Sequence, residues 1–271
     1  MRRLSTLALV ACALGGRARA LETEVELGVG VAGHALLGDV WFVSPLFSLG
    51  VPMSENVDMT ITLGFTIATA TGDPEGFDTS RAVVGSPMLA FPWRLGEGLV
   101  FAPGITVPLS RLPTADEPGH LIAAAAVNGG RGIRGRVDEW LWLPDELGFV
   151  FPLHWSKWLD PVVLELDLAL AYVIPTSDTD PDDDFLLQMV WRVALRLTPE
   201  VWIGARFAAA YIPTNTTDNA QLSVAPEARW IFARAGGHVS VRFHVNLDTP
   251  YGPSFEAGRL WGLHLGTGWS L

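Results

Sequence analysis

The chain lacks the means for several common ways of holding a protein together. It has one cysteine, Cys12, in 271 residues. That residue lies in the N-terminal leader, so the folded part can form no internal disulfide. Charge is scarce as well, with 17% of residues charged. After the N-terminus no apolar run approaches the ~20 residues that a membrane-spanning helix needs. Yet hydrophobic residues reach 49% and the mean hydropathy is +0.30. So much apolar side chain without a long run means that it is dispersed along the chain.

Residues 1–20, MRRLSTLALVACALGGRARA, open on Arg2 and Arg3, carry a short apolar core and end in Ala18-Arg19-Ala20. This is the pattern of a cleaved secretory signal peptide. Leu9-Val10-Ala11-Cys12 loosely resembles the lipobox of a bacterial lipoprotein, but the Ala-x-Ala site fits better. Removing Arg2, Arg3, Arg17 and Arg19 takes the basic residues from 18 to 14 against 29 acids, a formal charge of −15. An exported chain of that sign is a poor partner for nucleic acid.

What is present is alternation. In 57–70, VDMTITLGFTIATA, Val57, Met59, Ile61, Leu63, Phe65 and Ile67 alternate with Asp58, Thr60, Thr62, Gly64, Thr66 and Ala68. The same period of two runs through 21–31, 98–110, 162–174, 185–197, 201–213, 221–235, 238–248 and 258–271, and more weakly through 45–53, 83–95 and 147–155. The connections alternate too. Short ones fall at 54–56, 96–97, 156–161, 198–200 and 235–237. Long ones fall at 32–44, 72–82, 111–146, 175–184, 214–220 and 249–257. Tight turns at one end and long loops at the other mark a transmembrane barrel whose apolar row faces lipid. The expected fold is all-β, an antiparallel up-and-down barrel of twelve strands over 21–271, with fourteen as the alternative. A soluble sandwich would turn the same rows inward.

Aromatic placement agrees, because amphipathic rings favour the two headgroup levels. Trp93, Trp155, Trp202 and Trp269 fall near the short-turn ends, and Tyr172, Tyr211 and Trp261 near the opposite ends. The C-terminal RLWGLHLGTGWSL keeps Trp261, Leu263, Leu265, Trp269 and Leu271 on one face. It resembles the terminal strand signal that hands Gram-negative outer-membrane β-barrels to their assembly machinery, although that signal usually ends in an aromatic residue. The whole layout is similar to that of outer-membrane channel proteins of the aromatic-compound uptake type. The resemblance implies outer-membrane localisation, contact with lipid and lipopolysaccharide, and passage of small solutes.

Residues 121–146 do not alternate. They form either an extra hairpin turning at Asn128-Gly129-Gly130 or an external loop, with a short helix, folded over or into the mouth. The Gly-rich 129–135 run is poor strand material and favours the loop. Its Arg131, Arg134 and Arg136 would narrow a pore, bind lipopolysaccharide phosphates or lie in solvent.

The face opposite the lipid row receives Glu22, Glu24, Glu26, Asp58, Glu165, Asp167, Gln188, Arg192, Arg196, Arg206, Glu227, Arg229, Arg242, His244 and His264. These are the expected pore-lining residues. Their charges either zip the lumen with ion pairs or line a polar channel for small solutes. A plugged structural or surface-binding barrel is the first alternative. A lipid-active enzyme built on His244, Asn246 and Asp248 is the second, although no serine is tied to that group. No cofactor is expected. Ser177 to Asp184 has the Asp-x-Asp-x-Asp start of a calcium loop but neither its glycine nor its closing Glu, and a solvated acidic run fits better. Gly28, Gly30 and the glycines of 262–268 match no phosphate loop, and are expected to relieve crowding where a barrel wall bends.

Overall fold

The computed structural model describes residues 21–34, 36–72, 79–113, 117, 119–176, 184–213, 219–232, 236–253 and 259–270. The leader with Cys12 and most of the acidic run 177–184 lie outside the described residues. The chain forms a closed antiparallel barrel of 12 strands. The wall strands are β1 (Glu22–His34), β2 (Gly38–Pro52), β3 (Asp58–Ala70) and β4, which runs in three pieces (Ser80–Val84, Met88–Ala90, Trp93–Gly96). After β5, in two pieces (Leu99–Phe101, Gly104–Thr106), come β6 (Glu146–Leu159), β7 (Val162–Pro175), β8 (Asp184–Arg196) and β9 (Val201–Tyr211). The last three are β10 (Ala220–Phe232), β11 (Gly237–Asn246) and β12 (Trp261–Ser270). The ring closes where β12 pairs with β1, Leu265 opposite Leu27.

Side-chain parity follows the pleat, since neighbours along a strand point to opposite faces. On β8, Leu187, Met189, Trp191, Val193 and Leu195 are exposed on the outside, while Leu186, Gln188, Val190, Arg192 and Ala194 are buried inside. The apolar row of β3 is outward in the same way, with Ile61 and Ile67 exposed and Thr62, Thr66 and Ala68 buried. In an aqueous sandwich those rows would be reversed.

Two boundaries and one aromatic assignment differ from the sequence expectation. Strand β2 begins at Gly38, so 32–44 is no long loop: Trp41-Phe42-Val43 is apolar on both faces, which hides the alternation. Strands β6 and β7 run to Leu159 and from Val162, leaving only Asp160-Pro161 as the turn in place of 156–161. Trp202 does not belong to the outer girdle. It pairs in register with Arg196 and Arg229 on the inner face, is 9% exposed and meets Trp158 edge-on at 4.9 Å.

The segment between β5 and β6 enters the barrel. It contains helix α1 (His120–Gly132), a turn, and a 3-10 helix at Glu139–Trp142. The helix packs on β1 to β4 around Leu37, Val40, Phe42, Ala68, Val83, Ile122, Ala126 and Val127. The 3-10 turn puts Trp140, Leu141 and Trp142 among Val150, Ala171, Val173 and Leu186 from the other wall. The fourteen-strand alternative is thereby excluded.

Candidate functional site in the lumen

The inserted segment is a plug, and its seat is built from small residues. A Cβ on Gly129 would overlap the Phe42 ring, one on Gly64 would meet Trp142 at 2.6 Å, and one on Gly28 would touch Ile133 at 3.0 Å. A Cβ on Gly262 would overlap the Ile133 carbonyl. Gly28, Gly30 and Gly262 therefore admit the plug, and Gly30 also relieves crowding within the wall, where a Cβ would overlap the Trp261 carbonyl of the adjoining strand. Strand β4 is broken for the same reason: at the break, Ser86 N donates to the Leu141 carbonyl (2.7 Å) and Ser86 Oγ to the Leu143 carbonyl (3.1 Å). The upper part of VDMTITLGFTIATA is thus the seat of α1.

The tip of the plug, 133–138, turns through left-handed backbone at Gly135 (φ 64°), Arg136 (φ 60°) and Asp138 (φ 56°). Non-glycine residues occupy that region at a cost, and here the surrounding contacts hold them. Glu26 of β1 is the main anchor. Its Oε1 accepts from Arg134 Nη1 of the plug at 2.5 Å, its Oε2 from Arg242 Nη2 of β11 at 2.7 Å, and His264 Nδ1 of β12 lies 2.9 Å from Oε1. The other ring nitrogen of His264 is 2.7 Å from the Ile133 carbonyl. Asn246 Nδ2 donates to the carbonyls of Gly132 and Leu260, both at 3.0 Å, and the Asp138 N–H to Gln188 Oε1 at 2.7 Å. His244 is 4% exposed and sits against Gly135, and its Nε2 has no hydrogen-bond partner among the described residues.

Arg134 and Arg136 are 5% and 8% exposed inside the barrel. They neither lie in solvent nor reach lipopolysaccharide. Arg131 Nη1 donates to Glu139 at 3.0 Å and Nη2 to Asn128 at 2.6 Å. Burial pushes the Asp138 carboxyl of the plug up to about 6, against the opposing pull of Arg134.

A second cluster lies on the wall nearer the short turns. Arg192 of β8 bridges Glu165 of β7 (2.7 Å) and Glu227 of β10, and Arg206 Nε of β9 donates to the other Glu227 oxygen at 2.8 Å. Asp167 meets His154 at 2.6 Å. Arg229 has no ion-pair partner among the described residues and its Nε is buried. Two of the expected residues sit at the rim: Asp58 pairs with Arg94 (2.6 Å), and Arg196 pairs with Asp160 (2.6 Å) and lies 5.3 Å over Trp158. Glu22 and Glu24 are exposed and line open space.

Two cavities adjoin here through Glu24 and Ser48. One of about 300 Å³ opens at the short turns beside Glu22, Thr60 and His238. One of about 240 Å³ runs on to the plug tip at Arg134, Val137 and Asp138. The His244, Asn246, Asp248 group is divided among structural tasks: Asn246 holds the plug, and Asp248 Oδ1 accepts from Gln221 Nε2 and the Leu222 N–H. Among the described residues no group of three or more His, Cys, Asp or Glu is arranged to hold a metal ion. Sequence reasoning missed Arg94, Glu139 and His154. Their inward parity on β4 and β6 could have flagged Arg94 and His154, whereas nothing in the sequence gives Glu139 a direction.

Fold and lumen together define the class: a transmembrane β-barrel of the outer-membrane type, filled at one end by its own inserted segment. No protein-family model matches the chain, and no curated protein matches it. Among solved structures it is similar to an outer-membrane channel from Pseudomonas putida F1, with TM-score 0.62 and 13% identity over 94% of this chain and 96% of that one. It is also similar to the NanC porin (TM-score 0.52, 6% identity, 92% and 100%) and to the translocator domain of the autotransporter NalP from Neisseria meningitidis (0.52, 12%, 99% and 95%). At these identities the likeness is one of fold.

Proposed function

We propose that this chain is a passive outer-membrane channel for small solutes, held shut at rest by its own inserted segment, and not an enzyme. The observation that carries this is the pair of adjoining cavities, which lead from the short-turn end along charged walls and stop at the tip of the plug. A barrel with only a structural role has no need of such a vestibule, and its lower half could be packed as its upper half is. The short-turn end is read as periplasmic. The outer apolar rows are read as facing outer-membrane lipid and lipopolysaccharide, and the C-terminal strand as the address for the assembly machinery.

The test is conductance in planar bilayers. The intact protein is expected to give rare, brief openings, and a variant lacking 119–142 a steady current. Heat-modifiable migration on detergent gels identifies folded barrels. A folded deletion variant without current would overturn the channel reading. The depth at which Trp140, Leu141 and Trp142 are buried favours one rival, a permanently closed barrel. That rival requires an intact protein silent at every voltage beside a conducting deletion.

A further inference from the structure

We propose that the cavity under the plug tip is a binding site for a small zwitterion with an apolar body, the chemistry of a hydrophobic α-amino acid. This deepens the channel reading by naming the solute class, and binding can be measured whether or not current flows.

Size sets the first limit. An apolar cavity of ~150 Å³ takes up benzene, so about 240 Å³ holds a ring and a few further atoms. Part of the lining is hydrocarbon, from Leu46, Met88, Leu141 and Val190.

The polar walls hold unspent groups of both signs. Arg206, 30% exposed, donates only its Nε among the described residues, to Glu227. Arg242 and Arg134 line the same space, and donate Nη2 and Nη1 respectively to Glu26. Asp138 and Glu24 line the same space, and no described residue donates a hydrogen bond to either carboxylate. Charged groups that face a small space without a protein partner gain most from a solute of matching charge, so the cavity's lining specifies what should fill it. An apolar molecule would leave both sets unsatisfied. An apolar anion would meet the arginines but bring a third carboxylate beside Asp138 and Glu24, and an apolar cation would face three guanidiniums. A carboxylate and an ammonium on one small apolar frame satisfy both.

The experiment is titration calorimetry of the detergent-solubilised full chain with three probes that share one body: L-phenylalanine, 3-phenylpropanoate and 2-phenylethylamine. Phenylalanine is expected to bind saturably, and each of the other two at least tenfold more weakly. Asp138→Asn should weaken phenylalanine about tenfold and close its advantage over 3-phenylpropanoate. Arg206→Gln should weaken both acids and leave the amine unchanged. Equal binding of 3-phenylpropanoate, equal binding of 2-phenylethylamine, or no saturable heat from any probe would each overturn the proposal. The three-probe series on the unaltered chain decides the matter even where a variant does not fold. Failure of the binding series with a conducting plug deletion removes the site and leaves the channel. Binding with a silent deletion does the reverse.

Discussion

Above Gly28 the lumen is filled as a protein core is filled, with Phe42, Ala68, Val83 and Ile122 closed around α1. Below it, the inward faces of other strands, β1, β7, β8, β9 and β11, carry Glu24, Glu165, Arg192, Arg206 and Arg242, and space remains beside Glu24, Arg206 and Arg242. The membrane side is apolar at both levels, so lipid does not set this division. It is set by what each level of the lumen must accommodate: a helix needs complementary apolar surface, whereas an open passage needs groups that keep water and solute in place. Ion pairs across the lower wall keep the strands in register without filling the bore.

Perturbing the two halves should therefore give different results. The largest effect is expected from Gly129→Leu, whose side chain has no room beside Phe42. We predict that it expels the plug and gives the steady current of the 119–142 deletion while the barrel stays heat-modifiable; an unchanged closed state would show that the seat is soft. Next comes Glu26→Gln, which takes the carboxylate from Arg134, Arg242 and His264 at once. Breaking a buried pair by removing one partner costs ~3–5 kcal/mol. Frequent openings are expected in single-channel records, and a record like that of the wild type would remove Glu26 as the anchor.

A smaller effect is expected from pH. The Asp138 carboxyl is raised from an ordinary value of 3.8 to about 6. The resulting stabilisation of the docked plug is complete below the ordinary value and is lost as pH rises through about 6. Openings should be rarer at pH 5 than at pH 8, and Asp138→Asn should flatten the difference. The smallest effect is expected at the rim. Arg94→Ala breaks a partly exposed pair with Asp58 of a kind worth up to ~1 kcal/mol, and should leave both conductance and denaturant midpoint nearly unchanged.

The two halves were also unequally legible in the sequence. Strands β1, β7 and β8 announce themselves because one face meets lipid and the other meets charge, so the period of two is clean. Where the plug lies behind the wall the contrast fails. Trp41-Phe42-Val43 is apolar on both faces and reads as no strand, although it lies in the middle of β2. The plug itself was visible only as a break in alternation, with room for a short helix. A sequence gives a loop no inside, so Arg134 and Arg136 could not be told from solvated residues. The glycines of β1 and β12 were legible as unusual, but what they make room for is a segment more than a hundred residues away in the chain.

Glu26 also constrains the order in which the molecule can form. Its partners Arg134, Arg242 and His264 lie 108, 216 and 238 residues from it in sequence, and two of them reach it only once β12 has joined β1. Contacts of such separation form late, because the intervening chain must already be ordered. The share of the anchor that Arg242 and His264 supply is therefore assembled only as the wall closes, whereas the helix of the plug packs on β1 to β4 and does not depend on closure.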